Sequence, residues 1–409
     1  MPDPSLSREL DWRWLFPLRL FFRAARLAMG LRSLAASTMG LWLTVAGWYL
    51  AGRLFGLADN EPNNLARANA WPWQTAGDAT FYAWPWTIES WRQMLPAVDQ
   101  TVLGAWERLS AAFSLALDPS VTPRLFLYLA TCGLWALAVW SLLGGIVTRL
   151  SALGLTRDEY LHWNPAVKFV TARWASIAGG PLVACLGIGL LAAPVVAIGA
   201  LLRFHAGMLL AGLLWPLALV AGAAMALLAL GLLFGWPLMW AAVGVEGADA
   251  FEAISRAYAY VFHRPVHYLL YATQSILVGA LGWLLVSLFA RALLSMSIWA
   301  ASWGSGADPI ALSAAPDAGV LATAGGGLIR FWTAATMSVV GAYSYSYLWN
   351  ASTAIYLALR RELEATELDE VFVPEEAESP FGLPPLEQDE AGVPRAPDDS
   401  AEPPSSGAA

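Results

Sequence analysis

Six apolar runs, each long enough to cross a bilayer, dominate the pattern along this 409-residue chain. A helix needs about 20 apolar residues to traverse roughly 30 Å of hydrocarbon. The runs cover residues 34–57, 125–148, 177–202, 208–234, 269–290 and 331–359. The fourth lies within an uncharged stretch, Ala206 to Val245, that is long for one span and short for two. Its middle, 221–231, has no Pro, Asn or Asp to make a turn, so one tilted span is expected. Trp236, Pro237 and Trp240 then mark its arrival at the interface, where Trp concentrates. The pattern predicts an all-α bundle of about six transmembrane helices.

Shorter stretches predict helices lying along one membrane face. Arg19, Arg23 and Arg26 share a helical face, and Leu20, Ala24, Leu27 and Leu31 fall on a neighbouring one. Asn164 can cap a second helix and Pro165 can take its first position, with Val167, Val170, Trp174 and Ile177 forming the apolar stripe. Asp249 and Glu252 resemble a capping box for a third, with Phe251, Ile254, Tyr258 and Val261 at the same spacing. The second and third helices join successive spans and lead into Pro181 and Pro265, which gives the chain a parallel internal repeat. Gly52 with Gly56, and Gly231 with Gly235, have the four-residue spacing of close helix contacts.

Composition agrees with a membrane chain. Only 13% of residues are charged, about half the usual share for a soluble domain. That excludes a soluble enzyme, wholesale disorder, a collagen-like fibre and a disulfide scaffold. Cys132 and Cys185 lie inside apolar runs and read as buried small side chains, without metal or disulfide spacing.

Charge orders the ends. From Glu362 onward there are fourteen acidic residues and one basic, so this tail carries −13 and the rest of the chain +5. The overall −8 is a property of the tail and gives no reason to expect nucleic acid as a partner. Residues 1–33 form an Arg-rich amphipathic segment that suits an anionic inner leaflet, and no cleaved signal peptide is expected there. With the N-terminus inside, 15 of the 23 cations fall on the inner side, which obeys the positive-inside rule. A multi-pass protein of the cell membrane with both termini cytoplasmic is expected. The tail, 362–409, is acidic and Pro-rich, expected to be disordered from about 375, and suited to docking a basic protein partner. The outer loop, 58–123, holds six tryptophans (71, 73, 84, 86, 91 and 106) and repeats Ala-Trp-Pro-Trp at 70–73 and 83–86. Such a loop is expected to anchor at the lipid interface.

The stretch 237–269, PLMWAAVGVEGADAFEAISRAYAYVFHRPVHYL, passes from a span end through Glu-Gly and an amphipathic helix into a new span. It resembles the membrane domain found beside glycerophosphoryl diester phosphodiesterases and in related uncharacterised bacterial membrane proteins. The resemblance implies kinship of this membrane segment alone. The hydrolase barrel of that family needs about 250 soluble residues, and phosphodiesterase activity is not carried over.

Candidate chemistry is sparse. His263 and His267 are four apart, but Pro265 interrupts any helix between them, so no metal site is expected. No cofactor motif and no catalytic constellation occur. Ionisable residues inside spans are the strongest functional signals in membrane proteins. Arg53, Arg203, Arg291 and Arg330 fall near outer span ends, where arginine reaches headgroups. Two groups remain. Tyr343, Ser346, Asn350 and Thr353 step along one face of the sixth span, as helix-packing glue or as a polar path. Glu246, Asp249, Glu252 and Arg256 form a possible cytoplasmic interface cluster. These features favour a non-enzymatic membrane protein that organises lipid or a partner complex. The alternative is a permease component for an uncharged or lipid-like solute.

Overall fold

The computed structural model describes residues 17–57, 64–66, 101–118, 120–157, 162–308, 310, 319–364, 366, 370–372, 387–388 and 394–395. Among them are ten helices. We number these α1 (Leu18–Ala28), α2 (Leu31–Leu54), α3 (Val102–Ala116), α4 (Pro123–Thr156), α5 (Trp163–Ala172), α6 (Trp174–Leu201), α7 (His205–Glu246), α8 (Ala250–His263), α9 (Pro265–Ser305) and α10 (Val320–Glu364). The only regular pairing of strands described is a two-residue antiparallel one, Glu387 with Arg395 and Gln388 with Pro394. Arg8, Arg13, five of the loop tryptophans and most of the tail lie outside the described residues.

Five helices (α2, α4, α6, α7 and α9) are long and apolar enough to cross a membrane, and the chain is a multi-pass membrane protein. The 206–245 stretch is one continuous helix, α7. At 42 residues it is about 63 Å long, and Pro216 and Pro237 lie inside it without ending it. The predicted sixth span lies in α10, the longest helix at 45 residues, which falls short of the apolarity of the other five. Its surroundings explain this. From Ala342 to Leu359 every residue of α10 is buried by protein, so hydroxyl, amide and phenol groups there meet neighbouring helices instead of lipid.

Aromatic rings fill the middle of the bundle. Trp349 of α10 stacks on Trp240 of α7 with centroids 4.4 Å apart and planes 10° apart. Trp140 of α4 stacks on Tyr345 at 5.0 Å. The rings need flat seats, and glycines supply them: a Cβ at Gly144 would lie 2.7 Å from the Trp349 ring, and one at Gly40 3.0 Å from Trp140. The α6–α7 hairpin differs, for Leu190, Val196, Leu209, Leu213 and Val220 are exposed along it, as expected of lipid-facing helices.

Several local expectations are corrected. α1 buries Phe21, Ala24, Ala25 and Ala28 against the bundle, so protein takes up its apolar face. Leu31 is exposed and starts α2 after a bend at Gly30. α5 begins at Trp163 with His162 as its cap position, so Asn164 lies inside it, and Trp174 and Ile177 belong to α6. α8 is capped by Asp249, whose carboxylate accepts from the Glu252 N–H at 2.8 Å. Its buried face is Ala253, Ala257, Tyr260 and Val261, while Phe251 is exposed. Gly231 and Gly235 do receive a helix: Tyr258 and Ala257 of α8 pack there. Gly52 and Gly56 do not. Gly56 lies beyond α2 at φ +62°, and Gly52 faces Asn64. Finally, the outer loop contains a helix, α3, whose Trp106 stacks on Phe234 of α7 at 6.4 Å. Val102, Ala105, Leu109 and Ala112 recur at helical spacing on its packed face.

Candidate functional site

Charged groups converge where α7 and α10 end. Glu246 is the last residue of α7, and Asp249 directs the chain into α8 with Arg256 two turns further on. Arg256 reaches Glu246 at 2.6 Å, Glu252 at 2.8 Å and Glu364 of α10 at 3.2 Å. Arg360 holds the other Glu246 oxygen at 3.1 Å. The Tyr356 hydroxyl donates to that same oxygen at 2.5 Å. Tyr260 donates to Glu364 at 2.6 Å. Burial, and then the Glu364 carboxylate beside it, push the Tyr260 phenol well above its ordinary range. A neighbouring pair extends the network, for Tyr271 donates to Glu362, with His267 3.9 Å from the same carboxylate.

Of the four residues the sequence singles out here, three share this network. Asp249 is spent as a helix cap. Sequence reasoning missed Tyr260, Tyr356, Arg360 and Glu364. Arg360 and Glu364 are spaced by one helical turn, the available signal, but their partner on α7 is distant in sequence.

The network also holds the chain beyond α10. Arg360 donates to the Glu370 carbonyl at 2.6 Å. The Phe372 N–H donates to the Val245 carbonyl at 2.9 Å, and Arg149 donates to the Phe372 carbonyl at 2.9 Å. Residues 370–372 thereby cap the last turn of α7, which has no intrahelical donors left for its final carbonyls. A cleft of about 440 Å³ lies beside them, lined by Arg157, Glu246, Arg360, Glu370, Val371 and Phe372.

The second candidate group, Tyr343, Ser346, Asn350 and Thr353, is wholly buried in α10. Ser346 donates to the Ala28 carbonyl of α1 at 2.9 Å. Asn350 donates to the Ser346 carbonyl at 2.8 Å, and Thr353 to the Trp349 carbonyl at 2.9 Å. Tyr343 lies against Gly282 of α9. Among the described residues, the Tyr343 hydroxyl and the Asn350 Oδ1 have no hydrogen-bond partner. The stripe therefore faces α1 and α9 at close quarters.

Compared with protein-family models, curated proteins and solved structures, the chain matches none.

Proposed function

We propose that this chain is a non-enzymatic membrane scaffold that organises lipid or a partner complex. The observation that carries this reading is how the α10 stripe uses its polar groups. Ser346 ties α10 to α1, while Asn350 and Thr353 bond back into their own helix. Ser346 thus acts as interhelical polar glue, and the other two spend their donors inside α10. The charged network at the ends of α7, α8 and α10 is likewise paired internally, which suits a fixed surface better than a reacting one. The reading extends to a cytoplasmic location for both ends and to the acidic tail as a dock for a basic partner. The succession of α7, Glu246-Gly247, α8 and α9 also supports kinship with the phosphodiesterase-associated membrane domain.

One observation favours a permease instead: the buried Tyr343 hydroxyl and Asn350 Oδ1 lack partners among the described residues, as groups awaiting a solute would. Purified protein in liposomes decides between them. A scaffold gives no flux of small uncharged solutes such as glycerol, for wild type and Asn350→Leu alike. Flux that Asn350→Leu or Thr353→Val abolishes, in variants that melt like wild type, overturns the scaffold reading.

A further inference from the structure

Residues 370–372 lie in a groove between α4, the end of α7 and the start of α6, and they meet it mainly through backbone. The last carbonyls of α7 are shared out one by one. That of Val243 accepts from the Gly247 N–H, that of Gly244 from Arg149 and that of Val245 from the Phe372 N–H, each at 2.9 Å. Arg149 turns a second donor to the Phe372 carbonyl, also at 2.9 Å. Arg360 donates to the Glu370 carbonyl at 2.6 Å and lies 3.9 Å from the Glu370 carboxylate. One side chain is recognised by shape. The Phe372 ring lies under the Arg173 guanidinium at 4.9 Å, and a Cβ at Gly247 would come within 3.0 Å of both. Gly247 holds φ +67°, so the ring's seat is kept open by a residue the backbone itself requires to be glycine.

Such a groove is not made for one piece of chain only. Main-chain hydrogen bonds hold any extended segment, and the side-chain seat selects among them. The segment that fills it is short, its bonds are individually weak, and its Glu370 is exposed. It can therefore open while every helix stays folded. Opening leaves the Val245 carbonyl and one Arg149 donor without these partners, which favours entry of another segment of the same form. Room for more chain is present, for the cleft of about 440 Å³ runs beside residues 370–372. The acids that line it are already paired, Glu246 with Arg256 and Arg360, and Glu370 with Arg360. Backbone form and an aromatic ring, not net charge, thus decide what enters.

We infer that residues 370–372 are an autoinhibitory strap over a peptide-docking groove. The partner that the strap holds off presents an extended segment with an aromatic residue two positions after an acidic one, as Phe372 stands after Glu370. The inference deepens the scaffold reading by naming the kind of partner and its regulation, and it rests on that reading for there being a partner to organise.

The test uses the full chain in detergent and a labelled synthetic peptide spanning Thr366 to Glu376. Fluorescence anisotropy should show the peptide binding the Phe372→Ala chain about tenfold more tightly than wild type, because wild type binds only in the fraction whose strap is open. A peptide carrying Phe372→Ala itself should bind neither chain. Arg173→Gln added to the Phe372→Ala chain should remove the binding, while Lys168→Gln, which removes an exposed charge from α5, should keep it. Hydrogen exchange gives a second measurement that needs no variant and decides the matter where a variant fails to fold. Saturating peptide should speed exchange of the Phe372 amide in wild type, since that N–H loses the Val245 carbonyl. Equal affinity for wild type and Phe372→Ala, no binding to either, indifference to the peptide's ring, or a Phe372 amide that stays protected under saturating peptide overturns the strap. That failure would leave the scaffold reading standing, whereas solute flux would remove the scaffold and leave the groove.

Discussion

The ring of Tyr343 on α10 lies directly on the backbone of Gly282 in α9, where a Cβ at position 282 would overlap the phenol oxygen. One turn away, Tyr347 meets Gly279 in the same manner. Two tyrosines seated on two glycines set the register of α9 against α10. Gly282→Ala should therefore force these helices apart, at the ~1–3 kcal/mol typical of overpacking. The Tyr343 hydroxyl has no partner among the described residues, so Tyr343→Phe should cost little and should restore part of the stability lost in Gly282→Ala. A double-mutant cycle of thermal melts in detergent measures that coupling. Strictly additive effects would show that the two residues do not constrain each other.

Arg360 and Arg256 share Glu246 but differ in burial, with side chains 11% and 28% exposed. Arg360→Leu should cost up to ~3 kcal/mol, the low end for breaking a buried pair, because Arg256 still holds Glu246. Arg256→Gln should cost less than ~1 kcal/mol, as exposed pairs do. Denaturant titrations at low and high salt rank the two, and salt should shrink the Arg256 effect more. A larger loss from Arg256→Gln would invert the assignment of the buried partner.

The segment after α10 offers a sharper contrast. A chain ended after Pro374 keeps Phe372 and its bonds to Val245 and Arg149; its melting temperature should match wild type. A chain ended after Asp369 loses both bonds, at ~1 kcal/mol each, and uncovers the end of α7. It should melt lower and be cut sooner by protease. Equal melting of the two truncations would show that residues 370–372 add nothing to stability.

The orientation proposed for the chain is tested by fusions. A reporter active only in the cytoplasm should work when fused after Arg361 and stay silent when fused at Gln74. Activity at Gln74 with silence after Arg361 would reverse the orientation, and activity at both would change the number of crossings.

What the sequence reveals about this molecule follows from what is local. The absence of turn residues between 221 and 231 foretells the unbroken α7, and Asp249 announces the start of α8, because both are decided within a few residues. The buried stripe of α10 is legible as a spacing, yet which helices it meets is not, since α1 and α9 arrive from elsewhere in the chain. α3 escapes notice because the tryptophans and prolines before it draw the whole 58–123 region toward a loop. Arg149 is the instructive miss. It ends an apolar run and so reads as the start of a polar connection, but α4 continues to Thr156. A guanidinium can enter the bundle there because the end of another helix offers it carbonyls, a fact of tertiary structure that no window of sequence contains.

The burial of α10 has a consequence for how the protein is made. A segment rich in Tyr, Ser, Asn and Thr partitions poorly into lipid by itself, and α10 is such a segment from Tyr343 to Tyr356. It is also translated after the other long helices described. By then α1, α2, α4, α7 and α9, the walls that bury it, have all been synthesised. Its entry into the bilayer is thus a docking reaction into a protein-lined slot. The helices translated earlier act as the insertion site for this later one, and biogenesis should stall at this step when any wall is damaged.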